Sequence, residues 1–206
     1  AIYLLSYSIF NVVKKEFNLD LNKAKYFAGH SLGEYSALSC AGYLEFSETL
    51  KILRIRGDAM QSATPVGVGA MAAILGSEIE QVESLIASFN TTQSDEIVQI
   101  ANDNSPGQIV VSGHKNAVET LCEMAKQKGI KKSLMLPVSA PFHSDLMIDS
   151  AKIFSEKIKN ILFNRINIDL ISNHNLINYK HLNEKDYSKQ LSLQIHSPVM
   201  WSDTIK

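Results

Sequence analysis

A chain of 206 residues with 45% hydrophobic and 20% charged side chains has the composition of an ordinary globular domain, or of one domain carrying a smaller insertion. A formal net charge of -1 supplies no global attraction to nucleic acid or to an anionic membrane, so neither is expected as a partner. The two cysteines, Cys40 and Cys122, fall in helix-like stretches, suggest neither a disulfide framework nor a metal site, and read as buried thiols of a cytoplasmic protein.

The opening stretch, AIYLLSYSIFNVVKKEF, is apolar but interrupted by Ser6, Ser8 and Asn11; it is too short to span a bilayer and predicts a core helix. Tyr26, Phe27 and Ala28 read as the end of a buried strand. From Ser31 onward, Leu32, Tyr35, Ala37, Leu38 and Ala41 recur at helical spacing as far as Gly42. Between them, Gly29-His30-Ser31-Leu32-Gly33 predicts a sharp strand-to-helix turn of the G-x-S-x-G kind. Both glycines are expected to remove clashing Cβ atoms, and the serine hydroxyl to project at the helix N-terminus, where free N–H groups and the helix dipole favour negative charge. The same residues also fit a plain glycine turn ending in an N-cap serine.

A third helix is predicted from about Ser47, as N-cap, to about Ala63. On it Arg54 has Asp58 at i+4 and can form an exposed pair. Arg56 instead has Ile52, Leu53, Ala59 and Met60 as its helical neighbours. A guanidinium in an apolar stripe requires an anion, either a carboxylate elsewhere in the fold or one supplied by a ligand.

Strands are then predicted over 66–76, 96–102, 108–113 and 131–138, with helices over 77–89 and 114–129 and a turn at 103–107. This β-α-β-β-α-β order is the ferredoxin-like signature. Residues 62–137 are therefore expected to be a ferredoxin-like subdomain inserted into an α/β core made of 1–61 and 138–206. The core resumes with the loop SAPFHSDLM, a helix to about Asn160, a strand at 167–172, a polar loop over NHNLINYKHLNEKDY, and the start of a helix at SPVMWSDTIK.

A serine nucleophile needs a base within hydrogen-bond reach, and six histidines are available. His143, in the Pro-flanked APFHS loop where the core resumes, is the candidate. His30 is expected to shape the turn, His114 and His181 to be solvated; His174 and His196 stay open.

Taken in order, GHSLGEYSAL, Arg56-Gly57, GAMAAILG, NDNSPGQIVVSGHK, LPVSAPFHS and SPVMW resemble the malonyl-CoA:acyl carrier protein transacylase family through nearly the whole chain. The resemblance implies an α/β-hydrolase-like core with a ferredoxin-like insertion. It implies Ser31 as acyl-accepting nucleophile, His143 as base and later acid, Arg56 as holder of the malonyl carboxylate and the Leu32 N–H as an oxyanion donor. By the same resemblance the Gln194 backbone carbonyl orients His143, Asn104 lines the pocket, and Phe142 matches malonyl-selective relatives. No cofactor is implied beyond the coenzyme A thioester substrate, malonyl-CoA. The partner is an acyl carrier protein, the setting fatty acid biosynthesis in the cytoplasm, and the expected state a monomer. The family's N-terminal Gly-Gln-Gly loop and C-terminal Gly-Pro-Gly segment have no counterpart, so these 206 residues are expected to be an interior piece. Two other readings stay open: a serine esterase, which requires an acidic triad member and an apolar acyl pocket, and a carrier-binding module with a dead site. The lysines 126, 128, 131 and 132 form either a docking patch for an acidic carrier or a solvated face.

Overall fold

Small and branched apolar residues throughout GAMAAIL produce a strand buried on both faces, and its two faces organise the structure. The computed structural model describes every residue except 92–94, 131 and 139. Strand β1 (Gly69–Leu75) is followed by α4 (Ile79–Asn90), β2 (Val98–Ser105), β3 (Gln108–His114), α5 (Lys115–Gln127) and β4 (Lys132–Met135). With β5 (Val199–Met200) these strands form a five-stranded sheet in the order β4-β1-β3-β2-β5, antiparallel except for the parallel β2–β5 pair. Ala70, Ala72 and Ile74 face a core made with Val82, Leu85 and Phe89 of α4 and Val118 and Leu121 of α5. On the opposite face Met71 and Ala73 pack with Ala101, Val110 and Phe142, and this is the face that reaches the site.

The second core lies under the serine turn. It gathers α2 (Leu32–Cys40), α3 (Phe46–Gln61), α6 (Ile148–Ile158) and α7 (Glu184–Gln194) around Tyr35, Leu38, Tyr43, Ile52, Phe154, Tyr179 and Tyr187. The tyrosine rings meet edge to face, Tyr187 lying 5.5 Å from both Tyr43 and Tyr179. Helices α1 (Ile2–Glu16) and α8 (Trp201–Ile205) complete the set, and none of the described helices is long and apolar enough to cross a membrane.

Several expectations need correction. Helix α1 is not a core helix: only Tyr3 is buried, held by its hydroxyl to Ser39, while Ile2, Leu4, Leu5, Ile9 and Val12 are exposed. The α3 N-cap is Glu45 rather than Ser47. The expected strands at 26–28 and 167–172 reduce to a single parallel bridge, Phe27 to Leu170, and the bridge from Ile171 to Asn178. Helix α7 begins inside the stretch read as polar loop, because Tyr187 and Leu191 alone among its apolar residues are buried and leave little periodicity to detect. Asp103, Asn104 and Ser105 belong to β2, whose pairing with β3 is irregular there, and the turn contracts to Pro106-Gly107. Lys131 of the basic cluster and of the predicted fourth strand lies outside the described residues.

Only one of the two turn glycines is sterically required. A Cβ on Gly29 would sit 2.0 Å from the Gly33 carbonyl oxygen, whereas one on Gly33 meets nothing within 4 Å. Gly69 matters in the same way, since its Cβ would strike Pro141 of the His143 loop at 2.2 Å. Gly29→Ala should therefore destabilise the protein by roughly 1–3 kcal/mol in urea unfolding, as overpacking against rigid backbone does. Gly33→Ala, inside a helix and facing open space, should be neutral or stabilising by up to about 1 kcal/mol. Equal effects would mean that Gly29 is not the closely packed position.

Candidate active site

Ser31 stands at the N-cap of α2, yet its hydroxyl makes no capping bond. Its backbone is held at φ +52° and ψ -105°, outside the conformations that L-residues favour. The hydroxyl points instead to His143, with Oγ 2.8 Å from Nε2. The strained turn is clamped by one side chain that had no signal in the sequence. Asn173 Oδ1 accepts from the Ser31 N–H at 2.6 Å, and Asn173 Nδ2 donates to the Gly29 carbonyl at 2.8 Å.

His143 is also held at positive φ, +58°, with its N–H on the Ile195 carbonyl. Its Nδ1 faces two carbonyls, Gln194 at 2.9 Å and Ser197 at 3.2 Å. Two acceptors assign the ring proton to Nδ1 and leave Nε2 bare toward the serine hydroxyl. Burial, and then the positive charge of Arg56, push the imidazole pKa down to about 3, so the ring is neutral at pH 7.

Arg56 is 8% exposed. Its Nη2 donates to Ser31 Oγ at 2.9 Å and to Gln194 Oε1 at 3.3 Å, and the guanidinium lies 5.3 Å from the Tyr35 ring centre. Its Nε is buried without a hydrogen-bond partner. Among the described residues no carboxylate stands within ion-pair distance of it, in contrast to the exposed Arg54–Asp58 pair at 3.1 Å. The Leu32 N–H, first of α2, has no acceptor among the described residues, as befits a helix start.

Gln194 touches more of the site than its backbone carbonyl suggests. Its Nε2 donates to the Ser31 carbonyl at 3.0 Å and to Glu34 Oε2 at 2.7 Å. Glu34 is fully buried and also accepts from the Tyr179 hydroxyl and the Asn173 N–H. Sequence reading missed it because an acid in the first turn of a helix is the ordinary placement against the dipole. Burial pushes its carboxyl pKa up, against the hydrogen bonds from Tyr179, Gln194 and Asn173 and the charge of Arg56.

A cavity of about 390 Å³ opens beside these groups, with Ser31, Arg56 and His143 at its polar end and Met60, Met71 and Phe142 on its apolar walls. Asn102 lines it, whereas Asn104 does not; Asn104 Oδ1 instead accepts from His30 Nε2 at 2.7 Å. His30 is exposed at the rim, 5.6 Å from the Trp201 ring. His114 is not simply solvated, since its Nδ1 accepts from the Ile97 N–H at 2.8 Å. Among the described residues no three His, Cys, Asp or Glu side chains gather as metal ligands.

A serine hydroxyl on a strained turn at the start of a helix, bonded to a neutral imidazole, is the arrangement of enzymes that pass an acyl group through serine. The acyl transferase domain family, whose model matches residues 22–203, is the family to which this chain belongs. The chain is 38% identical over 207 residues to the malonyl CoA-acyl carrier protein transacylase of Haemophilus influenzae, with 100% of this chain and 64% of the relative covered. It is 42% identical over 183 residues to the protein of the same name from Bacillus subtilis, covering 86% of this chain and 55% of that one. Among solved structures, an acyl carrier protein S-malonyltransferase from Vibrio cholerae superposes with a TM-score of 0.89 at 37% identity, over 97% of this chain and 63% of that one. The chain thus spans 55–64% of the length of these relatives.

The imidazole of His143 should remain neutral in histidine NMR titrations until the pH falls below about 5, well under the ordinary value near 6.5. Arg56→Ala removes a positive charge that disfavours the imidazolium, so the midpoint should move upward. A midpoint near 6.5 in the parent chain, or none of this displacement in the variant, would contradict the assigned causes.

Proposed function

We propose that the site transfers malonyl from malonyl-CoA to the thiol of an acyl carrier protein through a malonyl-Ser31 intermediate, as part of fatty acid biosynthesis. One observation carries the reading: a buried guanidinium beside the serine hydroxyl that has no carboxylate of its own. A substrate bearing a carboxylate completes it through charge-assisted, bidentate hydrogen bonds.

In the first half-reaction Ser31 Oγ attacks the thioester carbonyl and its proton passes to His143 Nε2. The oxyanion forms at the start of α2, where the Leu32 N–H is available; the Ser31 N–H is not, being held by Asn173. Collapse breaks the C–S bond, and His143 returns the proton to the departing coenzyme A sulfur. In the second half-reaction the carrier thiol gives its proton to His143 and attacks the ester carbonyl; collapse breaks the C–O bond to Ser31, and His143 returns the proton to Ser31 Oγ. The Gln194 and Ser197 carbonyls on Nδ1 stabilise the imidazolium at each step, so no acidic third member is required. No residue of this scheme calls for a cofactor. An esterase reading is weaker, because an apolar acyl group would leave Arg56 buried and unpaired. Asn104 acts on the pocket through His30 rather than as a lining residue.

The β1-α4-β2-β3-α5-β4 unit supports a ferredoxin-like subdomain over 62–137, set between the halves 1–61 and 138–206 of an α/β-hydrolase-like core. The cavity then lies between the two, with Met71 and Asn102 from one and Ser31, Arg56 and His143 from the other.

Ser31→Ala should take up no malonyl from malonyl-CoA in intact-mass measurement while keeping the parent's unfolding transition; a malonyl adduct on the variant excludes Ser31 as nucleophile. Arg56→Ala should lower malonyl transfer by roughly 2–5 kcal/mol in kcat/KM, as for a desolvated charge pair. Acetyl transfer should hold or rise, because the unpaired guanidinium goes with the substitution. Equal losses for the two thioesters would make Arg56 a purely structural residue.

A further inference from the structure

Glu34 is a buried acid that the transfer chemistry does not use. Its Oε1 accepts from the Tyr179 hydroxyl at 2.6 Å, and its Oε2 accepts from Gln194 Nε2 at 2.7 Å and from the Asn173 N–H at 3.0 Å. All three contacts donate into it, which is the pattern that an ionised carboxylate takes. A cation is close enough to act on it, since Arg56 is among the charges that it feels, yet the two form no ion pair.

What stands between them is the Gln194 side chain. An amide has one accepting end and one donating end. Here both amide hydrogens are committed to groups that can only accept, Glu34 Oε2 and the Ser31 carbonyl. The oxygen is therefore turned to Arg56 Nη2 at 3.3 Å. A flipped amide would lose both bonds and set an NH₂ group against a guanidinium.

We propose that Glu34 is a positioning residue for acyl selectivity: it locks the Gln194 amide so that Arg56 is oriented over Ser31 by neutral acceptors, and no internal carboxylate takes the place of the substrate's. The proposal rests on the transferase reading above. Had the same carboxylate touched Arg56 directly, the guanidinium would be satisfied at rest and the malonyl group would have to displace it. The relay supplies the negative field without occupying the site. The Nε of Arg56, buried and without a partner, shows that its donors are indeed under-used.

A charge-conserving exchange tests this. The double variant Glu34→Gln with Gln194→Glu keeps the atoms and the net charge but moves the carboxylate one side chain closer, onto Arg56. The measured quantity is the ratio of kcat/KM for malonyl-CoA to that for acetyl-CoA in the full chain. The ratio should fall on the order of 100-fold, the scale of a buried charge pair already taken by an internal partner. Glu34→Gln alone, which removes the charge and one of the two acceptor oxygens and so weakens the lock on the amide, should lower the ratio by about tenfold, the scale of a coupled pair. If the exchange does not fold, the single variant decides. A ratio within about twofold of the parent's in the variant that folds, the ordinary additivity error, overturns the proposal, because a merely structural role would cut both substrates alike. A parent chain that takes up malonyl on Ser31 while the ratio stays put sinks only this inference. A parent chain that takes up none sinks the transferase reading with it.

Discussion

A serine held at φ +52° is the constraint on which the rest of the structure depends. Such a backbone costs on the order of 1–3 kcal/mol, and it persists only where the surroundings over-determine it. Here they do so from both sides. Gly29 lets the chain pass against the Gly33 carbonyl, and Asn173 bonds the peptide groups on either side of His30. Asn173 is in turn fixed by Glu34 through its own N–H, and by Met200, whose N–H donates to its carbonyl at 2.8 Å. The strain keeps the serine hydroxyl from capping its own helix, which is why it is available to His143.

The electrostatics follow from that geometry. Arg56 and Glu34 are both buried, and a direct pair would be the simplest way to hold two opposite charges in a low dielectric. Inserting an amide between them keeps both charges solvated by hydrogen bonds while leaving each only partly satisfied by the other. The neutral His143 belongs to the same balance. Burial of the ring, and then the positive charge of Arg56 beside it, hold its pKa low. The imidazole consequently rests as an acceptor, the state in which a serine proton can be received.

What could be read from the sequence, and what could not, divides along chain separation. The G-x-S-x-G turn, the contrast between Arg54 and Arg56 on one helix, and the alternation of strands and helices over 66–138 are local patterns of period or spacing. Such grounds point to Ser31, Arg56 and His143, and the Ser31 hydroxyl lies within hydrogen-bond reach of both of the others. Glu34 and Asn173 act through contacts 139 and 142 residues apart in the chain, and nothing local marks either. Asn104 illustrates a finer limit: it lies two residues from Asn102 on one strand, and the irregular pairing of β2 decides which of the two lines the cavity. Helix α1 shows the opposite limit, since its apolar composition is conspicuous but only Tyr3 of it is buried.

The parallel pairing of β2 with β5 is short, joining Asn102 to Val199 and Asp103 to Met200, yet it ties the strand that brings Asn102 to the cavity to the segment whose Gln194 and Ser197 carbonyls hold His143. Because Met200 also bonds Asn173, the seam runs from the sheet to the serine turn without a break in hydrogen bonding. Parting the sheet from the serine turn would therefore break hydrogen bonds on both sides of Asn173. The position of the turn against the sheet is thus written in the backbone and Asn173, and the charge beside it in the side chains of Arg56 and Glu34.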